Sequence, residues 1–235
     1  MDEVGSKLSI IMPVLDEAGL IVDALQALAT FRQRGAEVIV VDGGSRDGTM
    51  ELARPHAEKV IAAPRGRAAQ MNAGAAIAQG DVLLFLHADT RLPPEADGRV
   101  LEGLERSGRA WGRFDIAISG GSPWLPIVAA AINLRSRLTG IASGDQAMFV
   151  RRDAFMAAQK FPDIPLMEDI ALSHALKGVS PPLCLGEKVT TSGRRWEQHG
   201  VWRTIFLMWR LRLAYFLGAE PATLARRYGY APRER

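Results

Sequence analysis

Three short stretches of the 235-residue chain carry residue types that could do chemistry. His87-Ala88-Asp89 follows the apolar run Val82-Leu83-Leu84-Phe85-Leu86, so an imidazole and a carboxylate stand at the carboxyl end of a predicted buried strand. Ligands of open α/β sheets bind at that end. An H-x-D pair there could hold a divalent metal against a phosphate-bearing substrate. Asp89 could equally cap a helix beginning at Pro93-Pro94. The second stretch, Asp42-Gly43-Gly44-Ser45-Arg46-Asp47-Gly48-Thr49, closes the apolar run Glu37–Val41. Its glycines describe a loop whose backbone must come close to something. The third, Glu168-Asp169, opens a predicted helix, where two acids could simply offset the helix dipole, worth only ~0.3–1 kcal/mol.

The elements that must position these residues alternate regularly at first. Leu8–Val14 predicts a strand. Ile21, Ala24, Leu25, Leu28 and Phe31 share one face of a single helix. Strands follow at Glu37–Val41 and Lys59–Ala62, with helices from Thr49 and over Gly66–Ala78. This order implies a parallel sheet with right-handed crossovers. The pattern is less regular beyond residue 90: helices at Pro94–Arg106, Pro123–Leu138 and Pro165–Leu176, strands at Trp111–Ile118 and Gln146–Val150, and one or two strands in Pro181–Val189. A last long helix is expected to start near Trp196. Trp202, Phe206, Trp209, Leu213 and Phe216 make one stripe of it, while Leu207, Met208, Leu211 and Tyr215 make the other face apolar too. A helix apolar on both faces needs two partners: the core, and either a second subunit or a membrane interface.

Bulk properties narrow the classes. Apolar residues make up 48% of the chain and net charge is +3, which fits a globular protein with a sizeable core. Arginines scattered among apolar residues suit phosphorylated ligands or an anionic membrane surface, and argue against a nucleic-acid partner. Cys184 is the only cysteine, so no intrachain disulfide is possible. The start Met1-Asp2-Glu3 does not read as a leader, and no apolar run reaches the roughly 18 residues of a membrane span. A cytoplasmic protein is expected, with peripheral contact on the inner face of the membrane through its C-terminal third.

Taken in order, Ile11-Met12-Pro13-Val14-Leu15-Asp16-Glu17, Val40 to Thr49, Gly66-Arg67-Ala68-Ala69-Gln70-Met71-Asn72-Ala73-Gly74, His87-Ala88-Asp89 and Glu168-Asp169 resemble the family 2 glycosyltransferases of GT-A fold. The resemblance is to a small, single-domain, bacterial-type member without transmembrane segments. It implies an α/β fold with a mixed, mostly parallel central sheet flanked by helices. Residues 1–90 would form the nucleotide-binding half, 91–195 the acceptor-binding half and 196–235 a C-terminal amphipathic helical segment. It implies inverting transfer of one sugar from a UDP- or GDP-linked donor to an acceptor hydroxyl or lipid phosphate, assisted by Mn²⁺ or Mg²⁺.

Site roles follow from the same resemblance. Pro13, Val14, Asp16 and Glu17, with Asp42, Gly43 and Ser45, are assigned to the base and ribose; for Asp42 the alternative is a turn-forming residue. Arg67 and the helix N-terminus behind it face phosphate, and Asn72 stands beside the donor. His87 replaces the first Asp of a D-x-D tip. It and Ala88 then serve the ribose or diphosphate, leaving Asp89 to take the metal, since imidazole suits Mg²⁺ poorly. Asp169 is the expected general base, a contribution of ~10²–10⁴-fold, with Glu168 orienting it or the acceptor. Arg194-Arg195-Trp196 matches the tail of a Q-x-x-R-W motif, with Ser192 where Gln would stand. Arg195 and Trp196 would close over the diphosphate or the acceptor, and His199 is a candidate third metal ligand. Gly144-Asp145-Gln146 resembles the acceptor-side loop. A lipid-linked acceptor would suit the Trp202–Phe216 stripe and the helix near Trp124–Ile132, and a homodimer through the C-terminal helix is the other use of that stripe. Two alternatives stand beside this reading. A sugar-phosphate nucleotidyltransferase would need a Gly-rich phosphate loop after the first strand, where Pro13–Glu17 stands. A non-catalytic, membrane-associated nucleotide-sugar-binding module would leave Glu168-Asp169 without a purpose.

Overall fold

In the computed structural model, which describes residues 7–230, the first strand β1 (Leu8–Val14) is buried on both faces. Ile10, Met12 and Val14 enter one apolar core and Ile11 the other, so the period of two shared by all strands divides an unbroken apolar run between two layers. The next elements are α1 (Ile21–Gln26), α2 (Ala29–Gln33), β2 (Glu37–Asp42), α3 (Thr49–Ala53), β3 (Lys59–Ala62), α4 (Arg67–Ile77) and β4 (Val82–Phe85). Strands β3, β2, β1 and β4 are neighbours in that order, all parallel, as the alternation required. The single helix expected over Ile21–Phe31 is two. Leu28 N–H bonds the Leu25 carbonyl three residues back, which tightens the chain there, yet all five apolar residues remain buried.

The second half continues the same sheet with mixed polarity. It comprises β5 (Thr90–Arg91), α5 (Ala96–Ser107), β6 (Trp111–Ser119), α6 (Leu125–Thr139), β7 (Phe149–Arg151), α7 (Arg152–Ala157), α8 (Glu168–Lys177) and β8 (Leu183–Ser192). Strand β7 runs antiparallel between β4 and β6, β8 lies parallel to β6, and the short β5 closes the edge. Sheet order is therefore β3-β2-β1-β4-β7-β6-β8-β5. Expected strand Gln146–Val150 starts later, because Gly144–Gln146 forms a 3₁₀ turn.

The C-terminal helix also differs from expectation. Gly200 at φ 83° separates α9 (Arg194–His199) from α10 (Val201–Phe216), a left-handed turn that glycine adopts at little cost. A further helix, α11 (Pro221–Tyr228), follows. Leu211, Leu224 and Ala225 from these helices pack on Leu166, Met167 and Ile170 at the start of α8, forming a third apolar cluster. Trp202, Phe206, Trp209, Leu213 and Phe216 face outward, Trp209 being 67% exposed, while Leu211 opposite is 2% exposed. Among the described residues no helix is long and apolar enough to cross a membrane.

Candidate active site

The loops after β1 and β2 are stapled to one another. Asp42 is 3% exposed, and one carboxylate oxygen accepts the N–H groups of Gly44 at 2.8 Å and Ser45 at 2.9 Å; the other accepts the Ser45 hydroxyl. Ser45 Oγ also takes the Asp16 N–H at 2.8 Å. Asp16, at φ 53°, reaches back to accept the Arg46 N–H at 2.8 Å. Glu17 and Ala18 donate their N–H groups to Thr49 Oγ1 and Asp47 Oδ2, at 2.8 and 2.9 Å. Asp42 thus makes the Asx turn that the sequence allowed, and a carboxylate retains lone pairs beyond those used here.

Gln70, on the buried face of α4, holds both strand ends at once. Its Nε2 donates to the carbonyls of Val14 and Val41, each at 2.8 Å, and a Cβ on Gly43 would lie 3.0 Å from its Oε1. One helical turn on, a Cβ on Gly74 would meet Ile11 Cγ2 at 2.5 Å, so glycine there lets α4 lie against β1. Val14 and Ala88 send their side chains into the core and offer only backbone to the site, while Pro13 is half-buried. Asn72 exchanges both amide bonds with the Phe161 backbone, at 2.8 and 3.1 Å, and so docks that segment on α4.

The H-x-D tip joins this frame to the second half. Asp89 is partly exposed at the end of β4, with a 3.3 Å hydrogen bond from Thr90 on one oxygen. Burial, and next the charge of Asp89, push the Glu17 carboxyl above its ordinary range, with Arg194 acting in opposition. The imidazole of His87 stands 3.9 Å from Asp145. Burial and the Arg67 charge hold His87 below the usual imidazole range, so it is neutral at pH 7. A Cβ on Gly144 would fall 3.1 Å from His87 Nε2 and 3.8 Å from Asp169 Oδ2. Glycine at 144 thus leaves room between imidazole and carboxylate.

Asp169 is fixed by two backbone donors, Gly144 N–H on Oδ2 at 2.7 Å and Ile170 N–H on Oδ1 at 2.8 Å. Glu168 beside it is 4% exposed, and burial together with the Asp169 charge pushes it up to about 7. Arg67 lies 3.9 Å from Glu168, too far for a tight pair. A narrow cleft lined by Met71, Phe85, His87, Gly144 and Asp169 adjoins a cavity of about 60 Å³ that includes Arg67, Glu168, Arg212 and Tyr228.

Two tyrosines that no sequence motif marked cover the expected phosphate-binding arginines. The Arg195 guanidinium sits 3.7 Å over the Tyr228 ring and donates to the Tyr228 carbonyl at 2.8 Å. Arg67 lies 5.1 Å over the Tyr230 ring and donates to its hydroxyl. Trp196 is partly buried and packs against the core. His199 is exposed on α9, and among the described residues no three His, Cys, Asp or Glu side chains gather as a metal site. A set of His87, Asp89 and His199 therefore does not form: β4 ends in a cleft, whereas α9 turns its last residue to the surface.

Residues 9–159 match the sequence pattern of Glycosyl transferase family 2. The chain belongs to that family. The family's description names sugar transfer, which favours that reading over the nucleotidyltransferase. An undecaprenyl-phosphate 4-deoxy-4-formamido-L-arabinose transferase of Pseudomonas paraeruginosa is 29% identical over 160 residues, 61% of this chain and 45% of that protein. The chain spans about half the length of such relatives. Among solved structures, S. aureus TarS 1-349 in complex with UDP-GlcNAc superposes with a TM-score of 0.65 at 19% identity, covering 79% of this chain and 58% of that one. The mannosyltransferase PcManGT of Pyrobaculum calidifontis, in complex with GDP-Man and Mn²⁺, gives 0.63 at 20% identity over 98% of this chain and 67% of that one. The fold of the family 2 member described here is GT-A.

Proposed function

We propose that this glycosyltransferase moves one sugar, with inversion, from a nucleoside-diphosphate sugar to a lipid-linked acceptor. The observation that carries the reading is the placement of Asp169: its carboxylate is held by Gly144 N–H at 2.7 Å and lines one cleft with His87, the residue at the tip of the donor-side strand. Asp42, Asp16, Glu17, Gly43 and Ser45 form the polar rim that would receive base and ribose. Arg67, Arg195 and the N-terminus of α4 would receive the diphosphate. UDP- or GDP-linked donors are both compatible with that rim.

A divalent cation suits Asp89. The carboxylate is partly exposed and lightly bonded, and Glu17 is held toward its protonated form by burial and next by the charge of Asp89. Mg²⁺ or Mn²⁺ bound through one or two carboxylates completes its shell with substrate phosphates, so a three-residue protein cage is not needed. When bound, the cation would supply charge stabilisation to the leaving diphosphate.

In the chemical step an acceptor oxygen attacks the anomeric carbon from the face opposite the leaving group. A hydroxyl acceptor must lose a proton, and Asp169 is the carboxylate placed to take it. Asp169→Asn is expected to lower transfer to a hydroxyl acceptor by ~10²–10⁴-fold while nucleotide affinity stays within about twofold. Turnover of a nucleotide-sugar panel with Mn²⁺, measured beside UDP and GDP binding, checks this. Retained turnover with lost nucleotide binding would reverse the assignment.

The outward stripe of α10 and the exposed Trp124, Ile127, Leu134 and Leu138 of α6 make adjoining apolar surface, with Trp124 and Trp202 in edge contact at 5.1 Å. Exposed Arg203, Arg210, Arg226 and Arg227 flank it. Apolar residues with a cationic border fit the surface of an anionic bilayer, where a lipid-linked acceptor would reside.

A further inference from the structure

Two arginines near Asp169 make no ion pair among the described residues. Arg135 comes from α6 and Arg212 from α10. Arg135 Nε and Nη2 and Arg212 Nε are buried and find no hydrogen-bond partner among the described residues. The same region provides counter-ions where cations are structural. Arg113 and Arg137 share Asp115, Arg137 at 2.7 Å, so Arg113 has a counter-ion even though its Nε, too, finds no hydrogen-bond partner among the described residues, and Asn133 holds both the N–H and the carbonyl of Ile116 in β6. Burial, followed by the charge of Arg212, brings Arg135 down to about 10, so it remains a cation at neutral pH. Asp169 and Asp145 attract Arg135 in return without pairing with it. Arg212 lines the cavity of about 60 Å³ that also contains Asp169, Glu168 and Arg67.

Buried guanidinium nitrogens without partners are unfavourable until an anion joins them. Their planar forks match phosphate oxygens. The residues next to them in sequence on each helix, Leu134 and Leu213, are exposed and apolar. The anion at such a site would therefore sit at the margin of an apolar surface.

We infer that Arg135 and Arg212 bind the phosphate of a phosphomonoester acceptor, with Arg212 on the α10 side of the cavity that Arg67 also lines. This rests on the reading of the cleft as a sugar-transfer site and names the acceptor's chemistry. A phosphomonoester has lost most of its second proton at neutral pH, since that pKa is about 6. Its dianion would be repelled by Asp169 unless cations stood opposite, and the two arginines supply them. A phosphate oxygen then forms the new bond to the anomeric carbon as the bond to the diphosphate breaks. The nucleoside diphosphate departs with the electron pair, and no proton has to move.

The phosphate could arrive on a polyprenyl lipid or on a soluble ester. Farnesyl phosphate in detergent micelles, glycerol 3-phosphate and farnesol are titrated calorimetrically against the full chain, Arg135→Gln, Arg212→Gln and the double variant, with UDP and GDP in parallel. Farnesyl phosphate is expected to bind at least tenfold more weakly to each variant, with nucleotide affinity within about twofold. Tm should be equal or higher, because an unpartnered charge has been removed. Preference for farnesyl phosphate over glycerol 3-phosphate supports the site and identifies the lipid source; equal binding supports it with a soluble ester. Farnesol binding as tightly as farnesyl phosphate, unchanged farnesyl phosphate binding in the double variant, or a parallel loss of nucleotide binding overturns it. A fall in Tm that Arg→Lys at the same position reverses without restoring farnesyl phosphate binding also overturns it, since the role is then structural. Absence of turnover with every nucleotide sugar would refute the transfer reading and leave these binding results standing, so the two can fail separately.

Discussion

Glu168 has a carboxylate on one side, a distant guanidinium on the other and almost no water. Burial and Asp169 raise it from the ordinary 4.5 to about 7, and Arg67 at 3.9 Å does not reverse this. The folded state therefore keeps a proton that the unfolded chain sheds near 4.5. Stability from this group is complete below about pH 4.5 and is lost as pH rises through about 7. Glu168→Gln, which cannot ionise, should flatten the decline in Tm between pH 5 and pH 8 and match or exceed the parent at pH 8. Thermal melts at pH 5, 6.5 and 8 decide it, and an unchanged slope would rule out the raised pKa. Gln70 makes the opposite case, a neutral residue whose worth is structural. Gln70→Ala leaves the Val14 and Val41 carbonyls without their side-chain partner. A cost of about 1–3 kcal/mol is expected, measurable by urea unfolding.

At the scale of elements, α10 offers a separation that few helices do. Phe206 and Trp209 are exposed while Leu211 carries the packing, so Phe206→Ser with Trp209→Ser should abolish co-sedimentation with anionic vesicles and leave Tm within a few degrees. Retained sedimentation would turn attention to the stripe as a contact between copies of the chain, read out by oligomeric state. The stripe was legible in the sequence because a repeat of three and four survives any tertiary context. The strands β1, β2 and β4 were legible for a similar reason: runs buried on both faces admit few other readings. The proposed site residues Asp42 and Asp89 were marked in the sequence by lying at or just beyond a strand, and Asp169 by opening a helix. What escaped had no local signal. The cover of Tyr228 over Arg195 and of Tyr230 over Arg67 depends on α11 folding back across the site. The orphaned nitrogens of Arg135 and Arg212 are visible only once α6 and α10 are side by side. His199 ends α9 exposed, a placement that its position along the chain does not reveal.

For the whole molecule, the sheet divides the labour. In the proposed reading its parallel part, β3-β2-β1-β4, would carry the donor-side rim and its antiparallel and mixed part the acceptor side, with β4 as the shared border. The third apolar cluster then ties the start of α8, which bears Glu168 and Asp169, to α10 and α11. That border strand has a consequence during synthesis. Leu83 and Leu84 of β4 pair with β7 on one side, yet β7 lies beyond α5, β6 and α6 in the chain. A ribosome adding ~5–20 residues per second leaves that edge open for on the order of several seconds. For that interval the nascent chain exposes an unpaired, wholly apolar strand, the kind of edge that recruits other chains. The strand that delivers His87 and Asp89 to the cleft is thus also where newly made protein is most in need of a chaperone.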